Sequence, residues 1–318
     1  MTPKQYYGSL EKETVACPVC GASDSRQLGS DDRYGMGVTS CGCDRCGLIF
    51  INPRPTKKEL DAFYSGVYRT YYESIEKPTE EYVKAGPYQD RAAYVVDKLK
   101  KVVDVNLDPK VLDIGCAEGT LLKTIKNEYP RAQLFGLEPD SNFAQYARNN
   151  TNATIGVGDF QTLQNEEVYR DFDLVTVTHV LEHILDPKEF LMMIGSIMKP
   201  GAHLYVEVPN INDDRAIGID NVHIGHVLYL SPPNFRYLLA ISGFEIIEEY
   251  VGDLPAKTFS MACLVRKTTG KPDRVHLDSS GVSQIHDKFK KNIVAVCVAE
   301  AAGGSFLRKM FNRLVKHF

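Results

Sequence analysis

From residue 109 to residue 268 the chain alternates short apolar runs with amphipathic stretches. The runs 110–114, 133–138, 153–157, 172–178, 202–208, 244–251 and 260–266 have the length of strands and are rich in Val, Ile, Leu and Phe. Near-continuous apolar strands are covered on both faces, as in a parallel sheet flanked by helices. The pattern predicts an α/β fold around a seven-stranded sheet. A helix is predicted over 88–103, where Ala92, Val95, Val96, Leu99 and Val102 recur at helical spacing. Four textures divide the chain. They are a cysteine-rich stretch (1–55), a charged, tyrosine-rich connector or cap (56–108), the α/β core (109–268) and a helix-like C-terminal tail (269–318).

Five of the eight cysteines fall between Cys17 and Cys46. Cys17-Pro-Val-Cys20-Gly21 and Cys43-Asp-Arg-Cys46-Gly47 are paired C-x-x-C-G knuckles, and two such turns can close a tetrahedral thiolate site around Zn²⁺. Cys41 is an alternative ligand to Cys43, but C-x-x-C geometry favours Cys43. Four thiolates leave no open position, so the expected role is structural: a small N-terminal four-cysteine, zinc-ribbon-like module.

Composition narrows the partners. A formal net charge of −4 and a nearly neutral ribbon speak against nucleic acid as the expected partner. The N-terminus lacks the basic and apolar pattern of a secretory signal, and no apolar run approaches a membrane span, so a cytoplasmic location is expected. The segment 306–318 places apolar residues at helical spacing with basic residues between them. It suits weak contact with an anionic membrane surface, although packing against protein is the preferred reading. Oligomeric state is not legible.

The richest chemistry lies at the ends of the apolar runs. Val111-Leu112-Asp113-Ile114-Gly115-Cys116-Ala117-Glu118-Gly119 is a strand entering a glycine-bearing turn before a helix. It lacks the G-x-G-x-x-G dinucleotide fingerprint, and an acid at Asp113 suits a ligand carrying an ammonium group better than a pyrophosphate. The next run ends in Glu138, placed to accept ribose hydroxyls at the carboxyl edge of an open sheet. After the third comes Gly158-Asp159-Phe160, a carboxylate and a ring suited to an adenine. The fourth leads into His179-Val180-Leu181-Glu182-His183. H-x-x-E-H is also a zinc-protease pattern, but here the first His follows a buried strand directly, which sets that reading aside.

In their order and spacing, VLDIGCAEG, GLEPD, GDF, HVLEH, MKPGAHLYVEVPN and SGFEIIEE resemble the class I S-adenosylmethionine-dependent methyltransferases over about half the chain. The resemblance implies a Rossmann-like sheet and S-adenosyl-L-methionine as cofactor. It places Asp113, Gly115 and Gly119 at the methionine part, Glu138 at the ribose, and Asp159 with Phe160 at the adenine. His179 contacts the cofactor in a segment that caps the following helix. Ala117 departs from the second glycine of many members.

A stretch of about 20 residues, 211–230, follows the fifth run and contains His223-Ile-Gly-His226-Val-Leu-Tyr229-Leu-Ser231. With the knuckles and the tyrosines it looks like a sugar-modifying subgroup that includes C-methyltransferases of nucleotide-linked deoxysugars. The resemblance makes His226 the candidate general base, with His223 and Tyr229 beside it. The Glu that precedes this His in the subgroup is Gly225 here, and the subgroup's further C-terminal domain has no counterpart. O-methylation of a sugar or nucleotide-linked sugar is therefore preferred to C-methylation. A zinc-ribbon RNA-modifying methyltransferase and a non-catalytic cofactor-binding protein are the competing classes.

Overall fold

The computed structural model describes residues 2–66, 75, 77–104, 106–213, 222–252, 259–268, 277 and 279–291. Tyr68, Tyr71 and Tyr72 of the connector and the basic segment 306–318 lie outside the described residues. No helix of the described residues is long and apolar enough to cross a membrane.

After helix α1 (Pro3–Ser9), strand β1 (Lys12–Glu13) pairs antiparallel with β5 (Arg54–Pro55) and closes the N-terminal stretch on itself. Between them, β2 (Ser25–Gly29), β3 (Ser40–Cys43) and β4 (Ile49–Ile51) form an antiparallel sheet. The Asp32 carboxylate braces the β2–β3 connection by accepting the backbone N–H groups of Tyr34, Met36, Gly37 and Val38. Helices α2 (Lys57–Gly66), α3 (Glu80–Ala85) and α4 (Tyr88–Leu99) follow. The predicted 88–103 helix thus stops at Leu99. A tight turn, with Val102 and Val103 N–H both reaching the Leu99 carbonyl, still buries Val103.

The core sheet uses β6 (Lys110–Ile114), β7 (Gln133–Glu138), β8 (Thr154–Val157), β9 (Phe172–Thr178) and β10 (Met198–Pro209). Next come β11 (Leu228–Tyr229), β12 (Phe244–Val251) and β13 (Ser260–Lys267). Its order is β12-β13-β10-β9-β6-β7-β8: parallel from β10 to β8, with β13 antiparallel to both β10 and β12. All seven predicted runs are strands of this one sheet. The run starting at 202 begins earlier, because Met198 already pairs with Phe172 before a register shift carries the chain past Gly201 to His203. Leu112, Val175, Val177, Leu204 and Val206 are fully buried; burying such a side chain contributes roughly 1.5–3 kcal/mol.

β11 is not part of that sheet. It pairs antiparallel with β4, Leu228 opposite Phe50 and Tyr229 opposite Ile49, and so becomes the fourth strand of the cysteine-bearing sheet. Ile51 N–H donates to the Val227 carbonyl and Arg33 N–H to that of Val222. The expected 20-residue loop is therefore pinned over 222–230, while 214–221 lie outside the described residues. One apolar cluster runs without a break from Cys17, Cys43 and Cys46 through Val227 and Leu228 to the core of the large sheet.

Candidate functional site

In this sheet the connections leave to one side from β6 to β7 and to the other at β9, so loops part at the carboxyl ends of β6 and β9. Ligands of open α/β sheets bind at such a switch point. Here it opens into a cavity of about 940 Å³, lined by Asp113, Gly115, Glu138, Asp159, Phe160, His179 and His226 among others. Gly119 stands at the start of helix α5 (Thr120–Glu128).

The β6 turn needs its glycines. Gly115 has φ +74°, and a Cβ there would run into Val180 Cγ2. Ala117, the departure noted in the sequence, takes φ +46°, and its N–H donates to Glu138 Oε2 at 3.0 Å. Glu138 Oε1 accepts from Asp140 N–H at 3.0 Å. Two backbone amides thus orient this buried carboxylate at the end of β7, on the cavity wall. Asp113 is buried and accepts from Thr176 Oγ1–H at 2.7 Å. Burial pushes its pKa up to about 7; the Thr176 hydrogen bond opposes that rise, and nearby Glu118 and Glu138 add to it. Three buried carboxylates, Asp113, Glu118 and Glu138, therefore make this end of the cavity suited to a cationic ligand. Asp159 Oδ2 lies 3.1 Å from Lys57 Nζ, and Phe160 packs edge-on against Phe190.

His179 sits at the β9 end with φ +55°. Its Nε2 lies 3.1 Å from both Glu207 Oε1 and Ser260 Oγ, and its Nδ1 lies 3.3 Å from Glu182 Oε1. Burial and Arg91 pull its pKa down, but Glu182 and Glu207 outweigh them and raise it. The H-V-L-E-H segment forms a 3₁₀ turn, Leu181–His183, and does not itself cap the following helix as the family resemblance implied. The helix after it, Pro187–Ile197, is capped by Asp186, whose side chain accepts from Glu189 N–H.

His226 is 5% exposed and reaches the cavity from the pinned segment. Its ring lies 4.8 Å from that of His183 and 4.0 Å from that of His223, centroid to centroid. His223 is buried behind it, outside the cavity lining, and its Nδ1 accepts from Gly225 N–H. Burial, with His226 and His183 nearby, holds its pKa well below the usual range. Tyr229 also stays off the lining, on β11 against Phe289. The structure thus brings His226 to the same space as the strand-end acids and keeps His223 and Tyr229 behind it.

Sequence reasoning passed over Lys57 and Arg91, which the connector brings to the cavity, and the buried Glu207 that lies 3.7 Å from Arg91 Nε; Tyr64, one of the connector tyrosines singled out in the sequence, also lines the cavity. Tyr64 Oη donates to the Gly225 carbonyl at 2.7 Å and lies 2.8 Å from His183 Nδ1. No spacing in the sequence announces these contacts, since Lys57 with Asp159, Arg91 with Glu207 and Tyr64 with His183 and Gly225 all join positions more than a hundred apart.

The four cysteines converge independently of the cavity. Cys17, Cys20, Cys43 and Cys46 place their sulfurs within 4.8 Å of one another, with Cys17–Cys46 and Cys20–Cys43 both at 3.5 Å. Those separations are near the edge of a tetrahedron built on metal–sulfur bonds of about 2.3 Å. Cys41 points elsewhere, its thiol donating to the Asn52 carbonyl. Hydrogen bonds from Cys17 and Cys46 lower the pKa of Cys43, and the same contacts, with burial, raise those of Cys17 and Cys46.

The parallel sheet, the β6 turn and the acid at the end of β7 define an α/β methyltransferase fold. The chain belongs to the methyltransferase-domain family Methyltransf_23, which matches residues 85–249. It carries an S-adenosylmethionine-dependent methyltransferase domain. The ubiquinone biosynthesis O-methyltransferases of Yersinia pestis (strain Pestoides F) and Yersinia pseudotuberculosis serotype O:1b are each 30% identical over 109 residues. Those matches cover 33% of this chain and 44% of each relative, so less than half of the relatives' length is spanned. The plantazolicin methyltransferase BpumL, solved with S-adenosylhomocysteine, superposes with a TM-score of 0.51 at 15% identity. It covers 66% of this chain and 97% of its own, a likeness of fold.

Proposed function

We propose that this chain transfers a methyl group from S-adenosylmethionine to a hydroxyl oxygen of a small acceptor. The observation that carries this is one cavity shared by the strand-end acids and His226. When bound, S-adenosylmethionine supplies an electrophilic methyl on a sulfonium sulfur. Glu138 holds the ribose, Asp159 and Phe160 receive the adenine, and the acids around Asp113 match the cofactor's positive charge. His226 and its neighbours face the remaining space, where an acceptor hydroxyl loses its proton. The oxygen pair forms the new O–C bond, and the S–C pair stays on sulfur. Most of the acceleration comes from aligning oxygen, carbon and sulfur.

Within that reading, a sugar or nucleotide-linked sugar is the preferred acceptor. Tyr64 offers an aromatic flank, and Asp61 and Lys57 offer hydrogen-bonding groups at the cavity. The ubiquinone-biosynthesis relatives act through O-methylation by name, which supports oxygen over carbon. The cysteine cluster holds a structural Zn²⁺ in this reading, supported by its four convergent sulfurs.

The test is methyl transfer from labelled cofactor to a panel of nucleotide-sugar and phenolic acceptors, read by mass spectrometry. His226→Ala should lower turnover by about 10²–10⁴-fold with cofactor affinity unchanged. Product methylated at carbon, or normal turnover in the variant, overturns the corresponding part.

A further inference from the structure

Glu182, His183 and His226 meet at the cavity wall in an arrangement that proton transfer alone does not explain. Each offers a ligand atom within 4.8 Å of the other two, and all three line the cavity. Glu182 is 1% exposed, and no donor completes a hydrogen bond to either carboxylate oxygen among the described residues. A buried carboxylate left so is costly unless a cation compensates it. Burial raises the Glu182 pKa, but His179, with Nδ1 3.3 Å from Oε1, and His183 outweigh it and lower it, while Oε2 has no hydrogen-bond partner among the described residues.

The imidazole of His183 is oriented the way metal-bound histidines are. Its Nδ1 lies 2.9 Å from the Gly225 carbonyl, an acceptor, so the proton sits on Nδ1. Its Nε2 then faces Glu182 Oε1 at 3.9 Å. A carbonyl holding one ring nitrogen fixes the tautomer and turns the other toward an ion. Two electron-pair donors facing across that gap are what a cation with bonds of about 2 Å spans.

We propose that Glu182, His183 and His226 form a divalent-metal site on the acceptor side of the cavity, and that an acceptor hydroxyl binds the ion directly. Two imidazoles and one carboxylate suit Zn²⁺, Mn²⁺, Fe²⁺ or Co²⁺, and three protein ligands leave open positions, unlike the four-thiolate cluster. The inference rests on the methyl-transfer reading and deepens it. The ion lowers the pKa of the bound hydroxyl, whose proton passes to solvent water. The resulting oxyanion attacks the sulfonium methyl, and the S–C electron pair stays on sulfur as S-adenosylhomocysteine forms. His226 then acts as a ligand rather than as the proton acceptor.

The test loads the full chain with one equivalent of Zn²⁺ to fill the thiolates, then titrates Mn²⁺ and reads electron spin-echo modulation and calorimetry. One further Mn²⁺ per chain with ¹⁴N modulation from imidazole is expected. Glu182→Gln and His183→Ala should each weaken Mn²⁺ binding at least tenfold and leave the zinc content unchanged. S-adenosylhomocysteine binding, measured on the same samples, reports both correct folding and the methyltransferase reading. Absence of imidazole-coupled Mn²⁺ in wild type that binds S-adenosylhomocysteine overturns the metal site alone. Wild type that takes up Mn²⁺ with this signature but fails to bind S-adenosylhomocysteine supports the site and overturns the cofactor reading.

Discussion

Glu138 is held by two backbone amides before any ligand arrives, so its orientation costs nothing at binding. On the proposed ribose-binding role, Glu138→Ala removes the acceptors for both hydroxyls, and it also frees the Ala117 turn. Affinity for S-adenosylmethionine and S-adenosylhomocysteine should fall equally, by about 10–100-fold, because both carry the ribose. Calorimetry with the two ligands checks it, and a selective loss for one contradicts the ribose assignment. Asp113 has a different signature. Its folded pKa of about 7 lies above the 3.8 of an unperturbed Asp. The folded protein therefore binds the proton more tightly than the unfolded chain. The stability this contributes is fully present below about pH 3.8 and is lost as pH rises through about 7. Unliganded wild type should lose Tm relative to Asp113→Asn between about pH 5 and pH 8; parallel Tm curves would sink the assignment. Both acids were legible because they end apolar runs. Arg91 and the meeting of Glu182 with His226 were not, because those contacts join residues that only the folded chain brings near.

Among the elements, the seven core strands were legible almost to the residue, since buried parallel strands leave uninterrupted apolar runs. Strand β11 was not. Leu228-Tyr229 is a two-residue strand inside the four-residue apolar run 227–230, too short to stand out, and its partner β4 belongs to the cysteine-bearing region. The pairing fixes the backbone two residues beyond His226, so the cysteine-bearing sheet sets the position of the cavity histidine. Leu228 is 2% exposed, and Leu228→Ala should cost about 2–5 kcal/mol in denaturant unfolding. Turnover should drop in the folded variant while S-adenosylhomocysteine affinity holds. A variant that loses stability but keeps full turnover would show that β11 packs the module without positioning His226.

For the whole molecule, the continuous apolar cluster makes the cysteine site a matter of general stability rather than of one appendage. Purified protein should contain one tightly held zinc, and Cys17→Ser or Cys46→Ser should release it and lower Tm. Cys41→Ser should retain it, because that thiol donates to Asn52 instead. Elemental analysis of the three variants decides; equal zinc in all of them removes the four-sulfur assignment. The paired knuckles announced this site in the sequence, whereas nothing there announced that the region around it would be completed from residues 228–229.

That borrowed strand also imposes an order on synthesis. Phe50 leaves the ribosome about 180 residues before its partner Leu228. At roughly 5–20 residues per second, β4 waits on the order of 10–40 s with one edge unpaired. Ile49, Phe50 and Ile51 form a short apolar edge of the kind that templates pairing between nascent chains. Yield in the cell is thus set in part by how well that edge is shielded while the rest of the chain is still being made.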